Sequence, residues 1–153
     1  MKAFQKGFTL IELMIVLRLL VSWQPSQYLL ILTTFARSQA SEASSLSAGL
    51  KPKLSIIYRI IIVSQVTIIA LDAKMDRQTG KYGQAEIGGS AATGSLSANA
   101  ATGCTITYTV KASNVSSAIQ GKTLVLDVLK NGSLKKNTTS TMDNKYIPKA
   151  FLI

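Results

Sequence analysis

An α+β chain is predicted: a long N-terminal α-helix, with an apolar anchor and an amphipathic second half, packed on an antiparallel β-sheet head. Three observations predict it. Residues 1–16, MKAFQKGFTLIELMIV, set a short basic leader carrying Lys2 and Lys6 before an apolar run. Residues 36–51, ARSQASEASSLSAGLK, repeat Ala, Leu and Ser at helical spacing, with Arg37 and Glu42 predicted to face outward. Residues 104–111, CTITYTVK, and 122–129, KTLVLDVL, alternate polar and apolar side chains at period two, as half-buried strands do. Asn131-Gly132 then suits the positive dihedrals of a tight hairpin turn, and residues 133–136 begin the return. Such an antiparallel sheet buries one face on the helix and leaves the other toward solvent.

At 153 residues the chain supports one domain plus an anchor. Its net charge of +10 becomes +8 if the leader leaves with Lys2 and Lys6. The basic residues are scattered, which reads as a solvated basic surface rather than a nucleic-acid track. Histidine is absent, so histidine acid/base and metal chemistry is excluded. The seven carboxylates, Glu12, Glu42, Asp72, Asp76, Glu86, Asp127 and Asp143, form no metal-ligand or paired catalytic motif. No enzyme, no metal and no cofactor is therefore expected. Cys104 is the single cysteine, unusual for an exported chain of this size, where cysteines pair.

Within residues 7–12, Gly7-Phe8-Thr9-Leu10-Ile11-Glu12, the leader ends at a glycine and one carboxylate lies inside the apolar run. A lone carboxylate in lipid is costly and persists where something offsets the cost. The alternative, a secretory signal peptide with a chance acid in its core, lacks the small-residue cleavage site that should follow. The pattern resembles the N-terminus of type IV pilins, the class with an N-methylated phenylalanine. The resemblance implies cleavage between Gly7 and Phe8 by a prepilin peptidase, methylation of the Phe8 amine, and a role for Glu12 in filament assembly. The cationic Phe8 amine, from the same chain or a staggered neighbour, is the natural partner for Glu12, because pairing removes both desolvation penalties.

After Val16 about twenty apolar residues are needed to cross a membrane. This chain instead reads LRLLVSWQPSQYLLILTTF, with Arg18 in the run and Pro25 expected to break or kink the helix. Ser22, Gln24, Ser26 and Gln27 make the second half a poor lipid-facing surface. Legitimate codons for residues 17–31, read one base earlier, give Val-Ala-Ile-Ile-Gly-Ile-Leu-Ala-Ala-Ile-Ala-Ile-Pro-Ala-Tyr, which resembles the segment pilins carry at this place. Residues 17–35 are accordingly read as a frameshifted apolar helix, with normal register resuming at Ala36-Arg37-Ser38-Gln39.

Residues 51–72, KPKLSIIYRIIIVSQVTIIALD, are a second anomaly: β-branched enough for strands, too polar for a convincing span. In a neighbouring frame residues 52–71 become the end of an amphipathic helix entering a polar loop; the alternative is a genuine buried strand. The Ile62-Val63 and Ile69-Ala70 junctions can each encode cysteine in that frame, supplying a partner for Cys104. As written, Cys104 is expected to be a free thiol or to pair between chains. Residues 73–103, rich in Gly, Ala, Ser and Thr, read as loop with short extended pieces. Within them residues 80–87, GKYGQAEI, resemble the entry to the first head strand of fimbrial subunits, and residues 143–150, DNKYIPKA, resemble a C-terminal pilin segment. Three Asn-x-Ser/Thr triplets, at Asn114, Asn131 and Asn137, are assigned no role.

The expected organisation is a leader at 1–7, the N-terminal helix at 8–51, an αβ-loop region at 52–103, and the sheet with the C-terminal segment at 104–153. The resemblance implies a structural subunit that polymerises with copies of itself into a type IV pilus for adhesion, twitching motility and DNA uptake. It further implies residence in the inner membrane as a preprotein, passage through the pilus assembly machinery, and an extracellular filament that contacts a host surface or DNA. The rival readings are a minor pilin, a type II secretion pseudopilin, and a monomeric membrane-anchored binding module.

Overall fold

The computed structural model describes residues 7–64, 77–90, 97 and 99–152, and the side chains of residues 23–29 and 57–64 lie outside that description. The order of elements is α1 (Leu10–Ala40), α2 (Glu42–Ser64), β1 (Arg77–Thr79), β2 (Gly83–Gly89), β3 (Ala101–Val110), β4 (Thr123–Leu129), β5 (Leu134–Lys136) and a 3-10 turn at Lys149–Phe151. The chain divides into two compact units, residues 1–34 and 35–153.

In the first unit the large apolar side chains from Phe8 to Leu32 that are described, among them Leu10, Ile11, Leu13, Ile15, Leu17 and Leu20, are exposed. A helix apolar on all sides belongs inside a larger assembly or a membrane. Among the described residues no helix is long and apolar enough to cross a membrane. The hydroxyls of this helix bond within it: Ser22 Oγ donates to Leu19 O at 2.9 Å, and Thr33 and Thr34 Oγ1 donate to Leu30 O at 3.0 and 2.9 Å. This back-bonding satisfies them without water. Helix α1 runs without a break through Pro25, where a break or kink is expected, and the side chain there lies outside the description.

The second unit is a helix packed on a five-stranded antiparallel meander in the order β1-β2-β3-β4-β5. Ser41 separates α1 from α2, yet its N–H still reaches Arg37 O at 2.9 Å. Ala36, Ala40, Ala43, Ser47, Leu50 and Leu54 are buried at three- and four-residue spacing, which is one helical stripe. The small residues early in that stripe let the helix approach the sheet closely, and Leu50 and Leu54 fill the space beyond. The stripe meets the inward side chains of the strands: Ala85 and Ile87, then Cys104, Ile106, Tyr108 and Val110, then Leu124, Leu126 and Val128. The outward side chains of β3, Thr105, Thr107 and Thr109, are half-buried, as the alternation predicts.

Several local expectations change. Helix α2 passes Lys51 and carries Pro52 in its interior, reaching Ser64 although Ile56 and its neighbours read as strand formers. Burial of Leu54 on the same stripe as Leu50 rewards continued helix, so tertiary packing overrides propensity. Residues 77–89 are not mainly loop but form β1 and β2. At the hairpin after β4, Gly132 is in the left-handed region (φ 79°) while Asn131 is not. Gly132 N donates to Leu129 O and Leu129 N to Ser133 O, each at 2.9 Å, a three-residue loop closed by a left-handed glycine. Asn131 contributes its side chain instead, Oδ1 accepting from Ser133 N and Oγ at 2.8 and 2.6 Å.

Strand β3 changes register against β4 between Ala101 and Thr105. Gly103 (φ 81°) supplies the bulge, and Gly89 (φ 85°) lies so near that a Cβ there would meet Gly103 O at 2.3 Å. Beyond β5, residues 137–142 cover the edge of β4. Asn137 N donates to Val125 O at 2.8 Å and Thr141 N to Thr123 O at 3.0 Å, while the Ser140 hydroxyl accepts from Val125 N at 3.0 Å. Hydroxyls thus complete a ladder that short β5 leaves open, which closes an edge against stray pairing.

Candidate functional site

Helix α1 starts with a capping box. Thr9 N and Thr9 Oγ1 donate to Glu12 Oε2 at 3.0 and 2.7 Å, and Glu12 N donates back to Thr9 Oγ1 at 3.3 Å. Thr9 is the N-cap and Glu12 stands three residues on, each satisfying the other's orphan donor. The Thr-x-x-Glu signature before an apolar run was visible in the sequence, but Glu12 was read for its charge alone and the cap was missed. Phe8 and Gly7 are exposed ahead of the helix, with no neighbour that a Cβ on Gly7 would meet. The partners of Glu12 are all on Thr9; the carboxylate makes no tertiary contact among the described residues.

Glu42, predicted to face outward, turns toward the sheet instead and gathers four donors. Its carboxylate accepts from the backbone N–H groups of Lys81, Tyr82 and Gly83 at 2.6, 2.9 and 3.1 Å, and from Tyr108 Oη at 3.1 Å. Successive N–H groups turned to one point make an anion cradle, here filled by the chain's own carboxylate. The same turn is held by Lys111, whose Nζ donates to Gly80 O at 2.9 Å and Lys81 O at 2.8 Å. Both flanking glycines are required: a Cβ on Gly80 would lie 2.5 Å from the Glu42 carboxylate, and one on Gly83 2.5 Å from the Tyr108 ring. Burial first, then the charge of Glu42 and its hydrogen bond, pushes the Tyr108 phenol well above its ordinary value. Arg37, also predicted outward, is exposed, but its Nε donates to Lys145 O and ties the helix to the C-terminal segment.

Cys104 lies on the core face of β3, 1% exposed, as a free thiol. Burial raises its pKa and the Thr102 hydroxyl lowers it by less. Pairing between chains, the other expectation, would require this buried sulfur to be uncovered first. The Ile62-Val63 side chains and the Ile69-Ala70 junction lie outside the described residues. No cluster of three metal-binding side chains occurs among the described residues.

The carboxylates thus divide into one locally capped at the start of an exposed apolar helix and one locked into the head. Comparison with known proteins meets the chain at both places. The prokaryotic N-terminal methylation motif matches residues 2–17, and the pilin family (bacterial filament) matches residues 36–151. A fimbrial protein of Dichelobacter nodosus is 36% identical over 155 aligned residues, covering 98% of this chain and 97% of its own length. A type IV major fimbrial protein FimA of the same organism is 34% identical, with 98% and 97% covered. The fimbrial protein EcpC of Eikenella corrodens is 33% identical, with 97% and 91% covered. With a capped, exposed apolar helix at one end and a helix-on-sheet head at the other, the chain belongs to the type IV pilin family and is a structural, non-enzymatic protein.

Proposed function

We propose that the chain polymerises into type IV pili through its N-terminal helix. A prepilin peptidase cuts between Gly7 and Phe8 while the preprotein sits in the inner membrane. Phe8 is then N-methylated, and the assembly machinery adds the subunit to an extracellular filament. Glu12 pairs with the Phe8 amine of a neighbouring subunit, and the heads face outward to serve adhesion, twitching motility and DNA uptake. One observation carries this reading: Glu12 stands in the first turn of a helix whose described large apolar side chains up to residue 32 are exposed, with only Thr9 as its partner among the described residues. A carboxylate with no tertiary role in its own chain is available to another. The relatives described as major fimbrial proteins favour a major over a minor subunit.

The test is Glu12→Gln in the intact chain, with pili counted by electron microscopy and insertion followed by membrane fractionation. Filaments are expected to vanish while insertion persists; undiminished filaments would overturn the Glu12 contact, and behaviour unchanged from the wild type, with neither chain forming filaments, would favour the binding-module reading.

The same proposal bears on residues 17–35. The methylation motif ends at residue 17 and the pilin family resumes at residue 36, so the interval between them coincides with the segment read as frameshifted. Arg18 and Pro25 in a filament core are costly, the first as an unpaired charge and the second as a helix breaker. Sequencing the gene through this interval tests the frame. Bases that cannot be read one position earlier as an apolar helix would sink the idea.

A further inference from the structure

Helix α1 and the C-terminal segment enclose a half-open cavity of about 270 Å³. Its cationic wall is Arg37, Lys145 and Lys149, and its apolar wall includes Pro148 and Leu152. Arg37 Nε is spent on Lys145 O, which holds the guanidinium in place, and its other N–H groups have no acceptor among the described residues. Lys136 adds a fourth cation beside the rim through its 2.5 Å bond to Asn144 Oδ1. Against these stands Asp143, 3.8 Å from Lys145 and exposed.

The four described head carboxylates are all engaged: Glu42 in its cradle, Glu86 with Arg77 at 2.5 Å, Asp127 with Asn137 at 2.8 Å, and Asp143 with Lys145. Among the described residues of the head, no carboxylate of another copy stands without a partner of its own, which favours an anion from outside over one from a second copy. Its shape is constrained too. Tyr146 is buried and the Lys145 ammonium stands 4.9 Å from its ring centre, so this aromatic presents no open face on which a nucleobase could stack. Inorganic phosphate would leave the apolar wall unused. A pyranose ring bearing a carboxylate uses both walls, its C–H face on Pro148 and Leu152 and its carboxylate on the guanidinium fork.

We propose that this cavity binds a uronate residue of an acidic polysaccharide. The proposal does not rest on the filament reading, so its failure would leave the subunit reading intact. The test titrates D-glucuronate and a polyuronate into the full chain in detergent, followed by ligand-observed NMR and calorimetry, with glucose, inorganic phosphate and duplex DNA as comparison ligands. Saturable glucuronate binding that weakens with salt is expected, with glucose and phosphate at least about tenfold weaker. Arg37→Gln should lose about tenfold and Lys149→Gln about threefold. Arg37 also supports the C-terminal segment, whereas Lys149→Gln removes charge without removing a bond to the fold, so it keeps the test valid if Arg37→Gln unfolds. Phosphate or DNA binding as tightly as glucuronate would overturn the proposal, as would unchanged affinity in the Lys149 variant.

Discussion

Glu12 and Glu42 each occupy the first turn of a helix, where a carboxylate complements the positive end of the dipole, yet their surroundings differ. Glu12 is held by one residue three positions away. Glu42 is held by three backbone N–H groups and a phenol brought from about forty and more residues along the chain. A carboxylate whose acceptor capacity is used within its own fold is a structural element. One that bonds only to its own cap remains free for a partner. The same sequence pattern, an acid at the start of an apolar or amphipathic helix, therefore leaves a carboxylate open to the proposed assembly contact in one region and serves folding in the other.

The sharpest way to break this comparison is to exchange the consequences. Glu12→Gln should abolish filaments and leave urea unfolding of the head unchanged, because no described residue of the head bonds to Glu12. If the head loses stability as well, Glu12 is not the free carboxylate described. Glu42→Ala should do the reverse at the level of the subunit, leaving three N–H donors and the Tyr108 hydroxyl without their acceptor. The cost is about 3 kcal/mol, measured as a lowered denaturant midpoint, since orphaned donors lose bonds to a charged group. A loss below about 0.5 kcal/mol would mean that water replaces the carboxylate and that the clasp is ornamental.

How much of this was legible depends on the range of the interactions. The period-two pattern of CTITYTVK and TLVLDVL placed β3 and β4 because alternation is recorded in consecutive residues. The amphipathic stripe from Ala36 to Leu50 was legible for the same reason. Strand β2, GQAEIGG, was legible only through the resemblance of residues 80–87 to the entry of a head strand, since Gly and Ala carry little strand propensity and its pairing with β3 fixes it. Glu42 was misassigned because a helical wheel shows a polar residue beside a buried face but not the loop of N–H groups waiting there. Asn131-Gly132 is compatible with two hairpin loops, and the bond from Gly132 to Leu129 selects one of them.

A smaller perturbation separates the cradle from its surroundings. Gly83→Ala keeps the three backbone donors to Glu42 but sets a Cβ 2.5 Å from the Tyr108 ring and its hydroxyl, in a site where the ring is fully buried. The expected cost is about 2 kcal/mol from forced displacement of the ring. Pairing the substitution with Tyr108→Phe should recover little of it, because the contact involves ring carbons as well as the oxygen. Full recovery would show that the hydroxyl alone is crowded.

Tyr108→Phe is the mildest of these changes and the one with a pH signature. It removes one donor of four and keeps the packing, so the loss should be about 1 kcal/mol near neutral pH. The phenol's folded value is raised above its ordinary 10.0 by burial, by the Glu42 charge and by the hydrogen bond, so the fold favours the protonated form. Its contribution is therefore complete below about pH 10 and declines above it, where the unfolded chain releases the proton first. The gap between wild type and the Phe variant should narrow as urea midpoints are taken from about pH 8 to about pH 11, because titrations common to both chains cancel in the difference. A gap that stays constant across that range would show that Tyr108 ionises as readily in the head as in the unfolded chain. The phenol would then have no part in holding Glu42, and the second carboxylate would depend on its three backbone donors alone.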